Sequence, residues 1–124
     1  MEHFSFVHME NLDFEQLNNL ELRFEQQETV VLASEVELST LVKLFGSRIR
    51  EMSSPSITDV KKSFTIDEHL MPMSEDDFDA FYSNWLQLTK RGNNMDEYGQ
   101  LLHLNSFFQA RVNRAEMVIL SEAI

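Results

Sequence analysis

Residues 74–92 constrain the fold more than any other stretch of this sequence. Ser74-Glu75-Asp76-Asp77 puts a hydroxyl where it can accept from free backbone amides, and sets acids at the positive end of a helix dipole. Phe78, Phe81, Tyr82, Trp85 and Leu86 follow at spacings of three and four, and Lys90-Arg91-Gly92 supplies a basic last turn and a terminal glycine. The spacing predicts a helix over 75–91 whose aromatic face must be buried against something.

Similar stripes recur on both sides. Leu101, Leu104 (or Leu102), Phe108, Val112, Ala115 and Ile119 fall at helical spacing without a proline and predict one long helix over 96–121. Joined by the short Gly92-Asn93-Asn94 connection, it would form an antiparallel hairpin with 75–91. Upstream, Leu38, Leu41, Val42, Phe45, Ile49 and Met52 follow a capping box at Ser34–Glu37 and predict a helix over 35–52 that stops before Pro55, with Gly46 as an internal weak point. Ile57, Val60 and Phe64 predict a short helix between Pro55 and Pro72. The first third carries two periods: Phe14, Leu17, Leu20 and Phe24 fit a helix, whereas Leu20, Leu22, Phe24 and then Thr29-Val30-Val31-Leu32 fit strands. Its wealth of Glu, Gln and Leu favours the helix. His3-Phe4-Ser5-Phe6-Val7 reads as a short extended arm. The expected fold is all-α, a small bundle of four or five helices with a C-terminal antiparallel helical hairpin. The alternative is α+β with a small β-hairpin near residues 18–32.

A chain of 124 residues suits a single domain with one core. It has no cysteine, which removes disulfides, thiolate catalysis and cysteine-held metals. Three glycines cannot build a phosphate loop. The residues three before His8, His69 and His103 are Ser5, Ile66 and Gln100, so the Glu-x-x-His pair of a di-iron bundle is missing. Asp67-Glu68-His69 reads as a solvated connector, and the acids at 75–79 lack the spacing of a calcium loop. No catalytic, cofactor-binding or metal-binding residue is therefore expected, and the chain is read as non-enzymatic. No apolar run approaches the roughly 18 residues that span a bilayer. The start, Met1-Glu2-His3, lacks a signal peptide's basic region, so a soluble cytoplasmic protein without membrane contact is expected.

Twenty-one acids against ten Lys and Arg give a net charge of −11, which argues against direct nucleic-acid binding. The acids are segmented. Residues 1–42 hold nine acids and one base, Arg23; residues 63–79 hold six acids and no base; the stretch between carries five bases, Lys43, Arg48, Arg50, Lys61 and Lys62. That basic stretch is expected to meet an acidic block within the fold or to face water. If 11–35 is helical, Glu21, Glu25, Glu28 and Glu35, with Glu10 and Asp13, make a row of carboxylates. Phe107 beside Phe108, and the apolar run Met117-Val118-Ile119-Leu120, give the last helix more apolar faces than a small bundle buries. These features predict association with another protein that carries a basic or amphipathic surface. Glu21, Glu25, Glu28, Glu35, Tyr82, Trp85 and Phe107 are the candidate partner-binding residues. The expected function is that of an inhibitor, chaperone or adaptor, with nucleic-acid mimicry as its sharper form. A structural subunit of a larger assembly, such as a phage particle or secretion apparatus, is the alternative, and a homodimer fits either reading.

Overall fold

The run Met117-Val118-Ile119-Leu120 is apolar on every side because both of its faces are covered. In the computed structural model, which describes residues 1–10, 12–53, 57–111 and 116–123, it forms the central strand of a sheet. Five strands, β1 (Glu2–His8), β2 (Gln27–Leu32), β3 (Ile49–Glu51), β4 (Val60–Ile66) and β5 (Met117–Glu122), lie in the order β2-β1-β5-β4-β3. Every pairing is antiparallel, with Phe6 opposite Ile119 on one side of β5 and Phe64 opposite Ile119 on the other. Among the described residues four α-helices accompany the sheet: α1 (Leu20–Glu25), α2 (Glu35–Leu44), α3 (Glu75–Thr89) and α4 (Met95–Gln109). The fold is α+β, which corrects the all-α bundle and agrees with the alternative class.

Strand alternation sorts the side chains into two apolar layers. Phe4, Phe6, Val30, Leu32, Phe64, Ile119 and their neighbours meet Leu38, Leu41 and Phe45 from the α2 region, Phe78, Phe81, Tyr82 and Trp85 from α3, and Leu101, Leu104 and Phe108 from α4. Intervening residues Val7, Val118 and Leu120 face the other way, where Leu17 and Ile57 cover them. Leu17 lies in a 3-10 turn, Gln16–Asn18, within the connection from β1 to β2, so this 9–26 segment folds back across the second face.

The α3 expectation holds. Ser74 accepts from the Asp77 amide, although the left-handed residue that ends the helix is Lys90 (φ 56°) and not Gly92. The expected 96–121 helix is instead α4 followed by β5; Val112 and Ala115, which carried part of its stripe, lie outside the described residues, as does Pro55. The expected 35–52 helix ends at Leu44 because Gly46, at φ 83°, closes it: the Gly46 amide donates to Lys43 O and the Ser47 amide to Val42 O. This paired pattern is a Schellman motif, after which Ile49 belongs to β3. Residues 57–64 form no helix, since Val60 onward is β4 with Phe64 and Ile66 alternating inward. The extended arm at 3–7 is the middle of β1. Among the described residues of the expected 11–35 helix, only α1 and the 3-10 turn are helical before α2, and β2 pairs with β1 instead of forming a hairpin inside 18–32.

Both sheet edges are guarded. On β2 the Val31 amide donates to Gln100 Oε1 at 2.9 Å, and Gln100 Nε2 donates back to Val31 O at 3.3 Å, so an α4 side chain occupies the place of a further strand. The opposite edge, β3, is three residues long and carries Arg50 and Glu51. Short, charged or covered edges resist backbone pairing with other chains.

Candidate protein-binding surface

The fold sorts the charges unevenly. At the β3–β4 side, Lys62 reaches Glu35 at 3.1 Å and Glu51 at 3.3 Å, Lys61 reaches Glu2 at 3.1 Å, Arg48 reaches Glu68 at 3.3 Å and Arg50 reaches Asp67 at 3.3 Å. Four of the five bases of the basic stretch thus meet carboxylates of the chain itself, while Lys43 is exposed and makes no ion pair among the described residues. Hydrogen bonds to Glu35 and then to Glu51 raise the Lys62 ammonium above its ordinary pKa.

The 9–26 connection receives none of these bases. Glu10, Asp13, Glu15, Glu21 and Glu25 are all exposed along it. Its only base, Arg23, is buried, with Nη1 donating to Leu17 O at 3.3 Å and Thr58 O at 3.0 Å. That guanidinium ties the connection to the β3–β4 loop, and among the described residues it pairs with none of the five carboxylates. Two phenylalanines sit among the acids: Phe14 is 39% exposed and Phe24 54%. Local chemistry shapes the segment. Asp13 and Gln16 bond reciprocally, amide to side chain, at 3.0 and 2.8 Å, and Asn19 Oδ1 accepts from the Leu22 amide to start α1.

Beside this ridge, at the end of the sheet where β4 stops and β5 begins, lies an open groove of about 610 Å³. The connection supplies Met9, Leu12 and Phe14, and the strands supply Ile66, Met117 and Val118. Asp13 and Glu116 are exposed carboxylates at the same groove.

The expected site residues divide. Glu21 and Glu25 are exposed one turn apart on α1 and belong to the ridge. Glu28 is half-buried on β2, and Glu35 begins α2 under the Lys62 ammonium. The row of carboxylates required for nucleic-acid mimicry is therefore broken by the helix-to-strand change after Glu25. Tyr82, Trp85 and Phe107 are buried at 6%, 0% and 7% exposure. Tyr82 Oη donates to Asn94 O at 3.0 Å, Trp85 Nε1 donates to Glu97 Oε1 at 2.9 Å, and the Arg111 guanidinium lies 3.4 Å from the centre of the Phe107 ring. In this fold these three side chains are packing residues. Sequence reasoning missed Phe14, Phe24, Glu15 and Glu116; Phe14 and Phe24 counted as core positions of a helix, and only Leu17 of that stripe is fully buried.

Trp85, Glu97, Arg91 and Glu37 continue as one network. Arg91 Nη1 and Nη2 donate to Glu37 at 2.8 and 3.0 Å, and Nη2 reaches Glu97 at 3.1 Å, so one guanidinium joins α2 to α4 beside the Trp85 ring. Nearby, Tyr98 Oη donates to Asp79 Oδ1 at 2.9 Å, and this bond raises the Tyr98 pKa above its ordinary value of 10.0. The neutral phenol makes the bond, so its contribution to stability is complete below that value and is lost as pH rises through the raised pKa. In a spectrophotometric alkaline titration Tyr98 is expected to ionise above the usual tyrosine range, and Asp79→Asn to bring it down. An unshifted Tyr98 titration in the variant would disprove the link.

Among the described residues no group of three or more His, Asp or Glu side chains could hold a metal ion, and no helix is long and apolar enough to cross a membrane. Comparison with protein-family models, curated proteins and solved structures gives no match to this chain.

Proposed function

We propose that this protein is a non-enzymatic binding module, an inhibitor, chaperone or adaptor in its setting, that engages a basic protein through the acidic ridge at 9–26. The observation that carries the reading is the uneven charge sorting. The bases at the β3–β4 side are engaged in surface ion pairs with the chain's own carboxylates, while five carboxylates and two exposed phenylalanines share a segment whose one base is buried. A concentrated field of one sign accelerates encounter with the opposite charge, and exposed aromatic surface lengthens the life of the complex.

The test takes the chain as bait in lysate of its own host, identifies what is retained, and measures association of that protein with wild type and with Glu21→Lys/Glu25→Lys. The double reversal is expected to slow association about tenfold at low salt, with the gap closing as salt rises. Its midpoint of unfolding should barely move, because both residues are exposed and the effect of such substitutions stays within about 0.5 kcal/mol. Glu28 is left alone in this variant because it is half-buried. Equal association rates for both proteins would refute the ridge as a docking surface. Recovery of a stoichiometric particle indifferent to salt would instead favour a structural subunit.

A further inference from the structure

We propose that the groove between the 9–14 segment and the β4–β5 end is the anchoring half of this surface, and that its occupant is a cationic amphipathic segment of another protein, whose apolar side chains enter the groove while its Lys or Arg residues meet Asp13 and Glu116. The inference rests on the binding-module reading and adds the partner's chemistry to it.

Several observations select this occupant. The hydrocarbon still open to a ligand comes mainly from Met9, Leu12 and Phe14, which lie over a floor of Thr65 and the buried Ile66, Met117 and Val118, so an apolar side chain that enters is rewarded chiefly at the 9–14 wall. The groove is open to solvent, and its volume of about 610 Å³ leaves room for side chains of a bound segment. The charged side chains lining it, Asp13 and Glu116, are both acids, and the groove opens beside the ridge that carries Glu10 and Glu15. An uncharged apolar ligand would leave those carboxylates unused, and an acidic one would be repelled. Two of the wall residues are methionines, whose unbranched thioethers adapt to side chains of different shape. An added strand is disfavoured because Gln100 occupies the β2 edge.

The test uses methionine-methyl NMR on the full chain, where Met9 and Met117 report on the groove and Met71 and Met95, both exposed and absent from its walls, serve as internal controls. Three synthetic peptides of equal length are titrated: one alternating lysine with leucine and phenylalanine, one with its leucine and phenylalanine changed to alanine, and one with its lysine changed to glutamate. The first is expected to shift Met9 and Met117 saturably without moving Met95, to bind at least about tenfold tighter than the alanine peptide, and to lose about that factor with Phe14→Ala or Glu116→Lys. The glutamate peptide should leave all four signals in place.

Salt-sensitive binding of both lysine peptides with equal affinity, and no response at Met9 or Met117, would overturn the groove while leaving the acidic ridge standing. Absence of binding by either lysine peptide at low salt would overturn both. Shifts of Met9 and Met117 that follow protein concentration without peptide would identify a second copy of the chain as the occupant and reject a foreign segment.

Discussion

Replacing Arg91 with methionine should lower the unfolding free energy by about 2 kcal/mol, because removing one member of a half-buried ion network strands the charges that remain. The Arg91 side chain is 27% exposed, and its partners Glu37 and Glu97 are 16% and 13% exposed. Without the guanidinium, two half-buried carboxylates from α2 and α4 face each other across the end of α3. Methionine preserves most of the packing over Trp85, which isolates the electrostatic part of the loss. Adding Glu37→Gln and Glu97→Gln to Arg91→Met is expected to recover at least about 1 kcal/mol, since the glutamine oxygens can still accept from the Ala33 amide and Trp85 Nε1. Urea denaturation of the three proteins measures both steps. A loss below about 1 kcal/mol in the single variant would mean that water solvates the carboxylates as well as Arg91 does.

Phe108→Ala should cost more, about 3–5 kcal/mol. The Phe108 ring is wholly buried between the sheet and the helices, edge-on to Phe6 of β1 at 5.4 Å and to Phe45 after α2 at 5.0 Å. Deleting it opens a cavity bounded by rigid aromatic neighbours, which collapse poorly around a void. Against a total stability on the order of 6–19 kcal/mol for a chain of this length, the loss is a large fraction. The denaturation midpoint should fall while its slope with urea stays constant; an effect under about 1 kcal/mol would show that the surrounding rings close the gap.

The same packing explains which parts of the fold could be read from the sequence. The helix α3 was legible because Ser74, the acids behind it and the aromatic stripe all favour one outcome, and Ser74 does cap the helix. Strand β5 was not. A strand buried on both faces has no alternation to show, and Met117–Leu120 fits a buried helix equally well at this length. The apparent surplus of apolar residues in 96–121, read as a sign of association, is largely absorbed by this two-sided burial. Gly46 misled for a different reason: the stripe of Leu38, Leu41, Val42 and Phe45 continues in phase to Ile49, and only the positive φ of Gly46 separates helix from strand. On the surface, the acidity of the first third was plain, and Glu21 and Glu25 are where a partner could meet them. The inward turn of Arg23 and the outward turn of Phe14 and Phe24 depend on how residues 9–26 cross the second face of the sheet, a long-range arrangement that local periodicity does not encode.

The place of β5 has a kinetic meaning as well. The pairs β2-β1 and β4-β3 touch each other through no ladder of their own, and β5 alone joins them. Phe4 lies opposite Ser121, and Phe64 opposite Ile119, so each half finds its neighbour only in residues far along the chain. Pairings so distant in sequence slow the search for the native state. Without residues 117–122 the sheet would be two separate pairs of strands, each with a bare inner edge open to misassembly. One strand of six residues turns two fragments into a single sheet.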